Sequence, residues 1–223
     1  MSIQNPYVIH SVSVVSQRKS ALSEVFQKII EVTGAPGSGK TTFIKKRFSD
    51  EVVLFGGLPL SYGTSKRILY SFFLSVYAIV TGAINLGQVL WLVKKSATYD
   101  ETLFARINAL RNSMTKFGYG FFKTHVKAEL IVDEGISHIP FILDLENKDI
   151  GDFLHLFRQH LVKRRIIFIV APTRDLLRNR IITRGHKRVR TAHDAEAFVD
   201  RNCRIAEQYK KALLDAGLNV TFE

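Results

Sequence analysis

Gly34-Ala35-Pro36-Gly37-Ser38-Gly39-Lys40-Thr41 is the stretch on which the reading of this sequence turns. It fits the pattern G-x-x-x-x-G-K-[ST] at every position. A short β-branched run, Lys28-Ile29-Ile30-Glu31-Val32-Thr33, stands before it, and a helical pattern from Lys40 to about Phe48 follows. Strand, glycine-rich turn and helix in that order suit a phosphate. Gly37 and Gly39 allow the dihedrals that aim backbone N–H groups inward, and the helix presents its positive dipole end to the same anion. On this reading Gly34, Ala35, Pro36, Gly37, Ser38, Gly39, Lys40, Thr41 and Thr42 line the phosphates. Lys40 reaches the β- and γ-phosphates, and the Thr41 hydroxyl holds Mg²⁺.

Four more short apolar runs repeat the strand signal: Glu51 to Phe55, Ala128 to Val132, Arg165 to Val170 and Leu218 to Phe222. Helical patterns lie between them, including Ile150 to Val162 and Asp194 to Ala216, with Asp194 as the expected cap of the latter. Short apolar strands alternating with helices mean an α/β fold with a parallel sheet covered on both faces. No internal repeat or linker interrupts the chain, so one domain over 1–223 is expected. Its nucleotide-binding core would be 28–55 and 126–223, with 56–125 as a helical insertion on the acceptor side.

The third run ends in Asp133-Glu134. Beside a phosphate-binding loop, Asp133 is placed to hold Mg²⁺. Glu134 is placed as a general base or as a ligand for an acceptor hydroxyl. Thr173 to Arg190 holds seven basic residues against the single acid Asp175, a net +6 in eighteen residues. If Leu176 to Ile182 is helical, Arg180 and Arg184 share a face. Gly185 then ends the helix, and the basic loop beyond it is suited to neutralising charge on a transferring phosphoryl group.

The whole chain of 223 residues carries a formal charge of +12, with 46% hydrophobic and 23% charged residues. That balance belongs to a folded protein and points to anionic partners. A single cysteine, Cys203, excludes an intramolecular disulfide, and its surroundings read as structural rather than nucleophilic. No basic, then apolar leader pattern opens the sequence, which suggests a cytoplasmic protein. His125, His138, His155 and His160 lack metal-ligand spacing. Phe117, Tyr119, Phe121 and Phe122 read as core, and Asp100 and Glu101 as solvated acids.

Phe72 to Val93 runs twenty-two residues without a charge, between Lys66-Arg67 and Lys94-Lys95. Its length suits a membrane span. A single span would put the 34–41 loop and Asp133 on opposite sides of a bilayer, although both must meet one Mg²⁺. A buried helix, or two short ones, is therefore the favoured reading. Peripheral membrane contact through 72–95 stays open because bases flank both ends.

These motifs resemble the nucleoside and nucleotide kinase group of P-loop proteins, with thymidylate kinase as the nearest pattern. Gly34 to Thr41 matches the phosphate-binding loop. Asp133-Glu134-Gly135-Ile136-Ser137 stands where that family has Asp-Arg followed by serine, and Arg178 to Gly185 looks like its arginine lid. Glu134 replaces the family's arginine, Phe55-Gly56-Gly57-Leu58-Pro59 lacks its Arg-Glu-Pro, and the sequence ends at Glu223, just after the fifth strand. The resemblance implies a three-layer P-loop NTPase fold with a five-stranded parallel sheet. It also implies ATP and Mg²⁺ as cofactors and phosphoryl transfer to a small-molecule acceptor, with Lys40, Glu134, Arg180 and Arg184 at the reacting group. The competing expectation is an NTP-hydrolysing protein that acts on nucleic acid or a membrane surface.

Overall fold

The apolar runs form one sheet. The computed structural model describes residues 29–48, 52–55, 58–59, 64–99, 102–119, 130–185, 189 and 191–223. Residues 1–27 lie outside these, as do Lys28, Glu51, Gly56, Gly57, Asp100, Glu101, Phe121, Phe122, His125, Ala128, Lys187, Arg188 and Arg190, named above. The strands are β1 (Ile29–Thr33), β2 (Val52–Phe55), β3 (Leu58–Pro59), β4 (Leu130–Asp133), β5 (Arg165–Phe168) and β6 (Val220–Phe222), in the order β3-β2-β4-β1-β5-β6. All pairings are parallel except β2 with β3. The expected five-stranded, all-parallel sheet is thus corrected. Leu58–Pro59 turns back on Leu54–Phe55 and adds a sixth, antiparallel strand. Proline is tolerated there because an edge strand can lack a ladder N–H.

β1 is central, and every residue in it is buried. That burial explains its β-branched composition. Its register pairs Ile30 with Ile131 on one side and Glu31 with Ile166 on the other. One face packs Ile30, Val32, Ile131 and Ile167 against Ile44 of α1 (Lys40–Arg47). The opposite face carries Phe168 under Phe141 of α5 (Ile139–Ile142) and Tyr209 of α8 (Ala192–Asp215), with ring centroids 6.3 and 6.2 Å away. Phe153 and Phe157 of α6 (Lys148–Leu161) complete that aromatic core, 5.1 Å apart. Phe117 joins it 5.4 Å from Phe157, so this aromatic belongs to the core as expected. Each such ring, fully buried, contributes roughly 1.5–3 kcal/mol.

α8 starts earlier than its hydrophobic pattern. Thr191 is the N-cap, and the Thr191 hydroxyl accepts from the Asp194 N–H while the Asp194 carboxylate accepts from the Thr191 N–H. Asp194 is therefore the N3 residue of a capping box and not the cap itself. α7 (Arg174–Arg184) extends two residues beyond its expected span at each end and closes on Gly185, whose φ is +62°.

The long apolar run divides between α2 (Thr64–Val80) and α3 (Leu86–Thr98), and α4 (Leu103–Thr115) follows. The break is a capping box, in which Asn85 and Gln88 satisfy each other's backbone N–H groups. The expectation of a buried helix or two short ones is met by two helices, but not by their burial. Phe72, Val80, Leu86 and Leu90 are exposed, the most exposed being Val80 at 78%. Among the described residues no helix is long and apolar enough to cross a membrane.

Candidate active site

β1 delivers the chain to the 34–41 loop at the centre of the sheet, between β4 and β5. From β1 the chain goes first to one side of the sheet and later to the other, and the crevice at such a switch point is where open α/β sheets bind ligands. Gly34, Gly37 and Gly39 all adopt positive φ, at +138°, +82° and +109°. At Gly34 a Cβ would lie 2.4 Å from the Ile169 carbonyl oxygen, so only glycine lets the loop leave β1 this close to β5. Gly39 caps α1 without a side-chain partner, and the first turn holds no acid. The N–H groups of Lys40, Thr41 and Thr42 therefore open the helix toward the loop.

Lys40 is 6% exposed. Its Nζ donates to the Gly34 and Ala35 carbonyls, both at 3.1 Å, and lies 3.5 Å from Glu134 Oε1. The Thr41 hydroxyl donates to Asp133 Oδ2 at 3.4 Å, which brings the two expected Mg²⁺ ligands together across the β1–β4 gap. Among the described residues, Asp133 Oδ1 is buried and has no hydrogen-bond partner, and neither has the Ser38 hydroxyl inside the loop. A buried carboxylate oxygen beside a threonine hydroxyl fits a hard cation that takes oxygen ligands. Burial, then the Glu134 charge, pushes the Asp133 carboxyl up to about 6, against the pull of Lys40, Lys116 and Thr41.

Glu134 sits at φ +60°, an uncommon conformation for a residue with a Cβ, and four contacts hold it there. Its N–H donates to the Val32 carbonyl at 3.0 Å, and its own carbonyl accepts from Lys116 Nζ. Its carboxylate lies 3.4 Å from His138 Nε2 and 3.5 Å from Lys40. Burial alone would raise this carboxyl, but His138, Lys40 and Lys116 outweigh it and hold it down at about 2.

Arg180 donates to the Gly37 and Ser38 carbonyls at 3.1 and 3.4 Å, and a Cβ on Gly37 would touch Leu177 at 3.0 Å. α7 is thus packed directly on the loop. Not every arginine of the cluster joins in. Arg174 and Arg178 pair back onto Asp200 and Glu196 of α8. Arg184 is exposed in the last turn of α7, and Thr42 is exposed one residue beyond Thr41.

The structure adds three residues that the motifs do not name. Glu31 is fully buried mid-strand, 2.6 Å from Arg164 Nε, and accepts from the Ser137 N–H at 2.8 Å. An acid inside a buried apolar strand is the signal that could have found it. Arg164 follows the end of α6, and Lys116 follows α4 in the short helical turn Lys116–Tyr119. Burial lowers the Lys116 ammonium from the usual lysine range, opposed by Glu134, Glu31 and Asp133. No local pattern marks Lys116, because only tertiary packing brings it to Glu134. Cys203 stands apart in α8, where burial, then Glu207 and Asp200, pushes its thiol up, as suits a structural cysteine.

No protein-family model matches this chain, and no curated protein matches it.

Proposed function

We propose that the chain is a P-loop phosphotransferase that moves the γ-phosphoryl group of Mg·ATP to a small-molecule acceptor of nucleoside, nucleotide or sugar type. One observation carries this reading. The glycine-rich loop with buried Lys40 lies against Asp133, whose Oδ2 accepts from the Thr41 hydroxyl at 3.4 Å while its Oδ1 is buried and has no hydrogen-bond partner among the described residues. The five parallel strands with this loop at the switch point support a three-layer P-loop NTPase fold.

Thr41 and Asp133 would hold Mg²⁺, which supplies charge neutralisation on the β- and γ-phosphates. Lys40 and the loop N–H groups, with Gly34 to Thr42 around them, would grip the phosphates. Arg180, already over Gly37 and Ser38, is the lid arginine placed for developing charge, and Arg184 lies one turn further along. A carboxylate held near 2 is a poor general base, since an efficient one titrates near the working pH. Glu134 is better suited to accept a hydrogen bond from the acceptor hydroxyl and orient it.

A screen of ADP formation over nucleosides, nucleotides, sugars and sugar phosphates tests the reading. One acceptor class should raise ADP formation and yield a phosphorylated product in equal amount. If none does, and DNA, RNA or vesicles raise release of inorganic phosphate instead, the chain is an NTP hydrolase.

A further inference from the structure

Twelve of the seventeen exposed large hydrophobic side chains among the described residues lie on α2, α3 and α4. Each of these helices buries small or polar residues and turns large apolar ones outward, although Leu74, Trp91 and Leu92 also pack inward. α2 turns Ser71, Leu74, Ser75 and Ala78 inward, while Phe72, Val76 and Val80 stand 66%, 43% and 78% exposed. α3 buries Gln88, Leu92 and Ser96 and exposes Leu90. α4 buries Ala109, Ser113 and Thr115 and exposes Phe104 and Ile107. A helix on an aqueous surface does the reverse. Small and hydroxyl-bearing residues at helix contacts, with large apolar side chains outward, suit helices that face an apolar medium. The inner contacts are close, for a Cβ on Gly118 would lie 2.6 Å from Leu74 Cβ.

Charge selects the medium. The three helices carry six lysines and arginines (Lys66, Arg67, Lys94, Lys95, Arg106 and Arg111) and no acid. Lys95 is paired with Asp149 at 2.5 Å, and Lys94 is exposed. A second copy would set like net charge against like, whereas an anionic lipid surface offers the opposite charge to helices that carry no acid. α2, at about 1.5 Å per residue, is about 25 Å long, short of a hydrocarbon core of about 30 Å. We propose that α2, α3 and α4 form a docking surface for an anionic lipid bilayer. The helices lie along the interface with their outer side chains among the acyl chains.

Flotation of the full chain with phosphatidylcholine vesicles, with and without phosphatidylglycerol, tests this. The chain should float with the anionic vesicles and do so less at high salt. The triple variant Phe72→Gln, Val76→Gln, Phe104→Gln changes only exposed positions and should keep its melting temperature. Its partitioning onto anionic vesicles should fall at least about tenfold. Lys40→Ala should float as wild type does, which keeps this result separate from the nucleotide reading. A wild-type chain that stays with neither vesicle, or a triple variant that floats equally well, overturns the proposal. Loss of a wild-type dimer in the triple variant, without vesicle binding by either protein, would assign the face to a second copy instead.

Discussion

Gly135→Ala probes the support beneath the candidate site. Gly135 starts the turn that carries the chain from Glu134 into Ile136–His138. A Cβ built there would lie 2.2 Å from Glu31 Cδ. Glu31 is not free to swing away. It is fully buried, pinned by Arg164 at 2.6 Å and by the Ser137 N–H at 2.8 Å. Relief of the clash requires the carboxylate or the turn to move, and either motion breaks the Ser137 bond. A hydrogen bond to a charged group is worth about 1.5–3 kcal/mol, and overpacking a buried site costs about 1–3 kcal/mol more. The total is about 2.5–6 kcal/mol, or about 5–24 °C of melting temperature for a chain of this size. The same displacement moves Asp133 and Glu134, so the Mg·ATP binding proposed above should weaken as well. Gly151→Ala is the internal comparison. Gly151 lies within α6 with nothing inside 4 Å of a built Cβ. Alanine there should stabilise by about 0.5–1 kcal/mol. Thermal unfolding followed by circular dichroism reads both. If Gly135→Ala melts within about 1 °C of wild type, the tight approach of this turn to Glu31 is refuted.

Two further predictions concern Asp133 and Arg180 of the proposed site. Burial raises the folded-state carboxyl of Asp133 to about 6 from 3.8. The stability linked to that shift is fully present below the unfolded value and is lost as pH rises through 6. Asp133→Asn should therefore stabilise the fold by about 1–3 kcal/mol at pH 8, with the gain shrinking as pH falls toward 4, while Mg²⁺-dependent ADP formation is lost. Melting temperatures against pH check the sign, and a less stable variant at pH 8 contradicts it. Arg180→Ala should lower turnover by about tenfold or more, since its guanidinium lies on the loop. Arg174→Ala should leave turnover unchanged, since Arg174 pairs with Asp200 on α8. Equal losses in steady-state kinetics would show that α7 acts only through packing.

Local, spacing-coded features were legible in the sequence. The 34–41 loop, its flanking strand and helix, and Asp133 at a strand end follow from glycine chemistry and apolar run length, and the structure places Thr41 against Asp133. Arg180 was legible as part of a basic helix before a glycine. Features set by tertiary packing were not. Lys116 comes to Glu134 only through the packing of α4. The partner of Glu31 is Arg164, distant in sequence, and nothing local names it. The apolar run over 72–93 shows how much hydrophobic side chain is present, but hydropathy does not say which side of a helix faces the core. Buried serines and alanines with exposed phenylalanines escape that reading. The antiparallel edge at Leu58–Pro59 is a tertiary choice of the same kind, made by pairing with β2.

Calorimetric titration of Mg·ATP into the wild-type chain and into Lys40→Ala bears most directly on the phosphate site. Lys40 is buried in the loop. On the proposed reading its removal leaves the phosphates without their main charged partner, a loss of about 2–4 kcal/mol or about 30-fold to 1,000-fold in affinity. Saturable wild-type binding that depends on Mg²⁺ and weakens to that degree in Lys40→Ala is the expected result. No binding to the wild-type chain, or equal binding by the two proteins, would contradict a triphosphate site at Gly34 to Thr41.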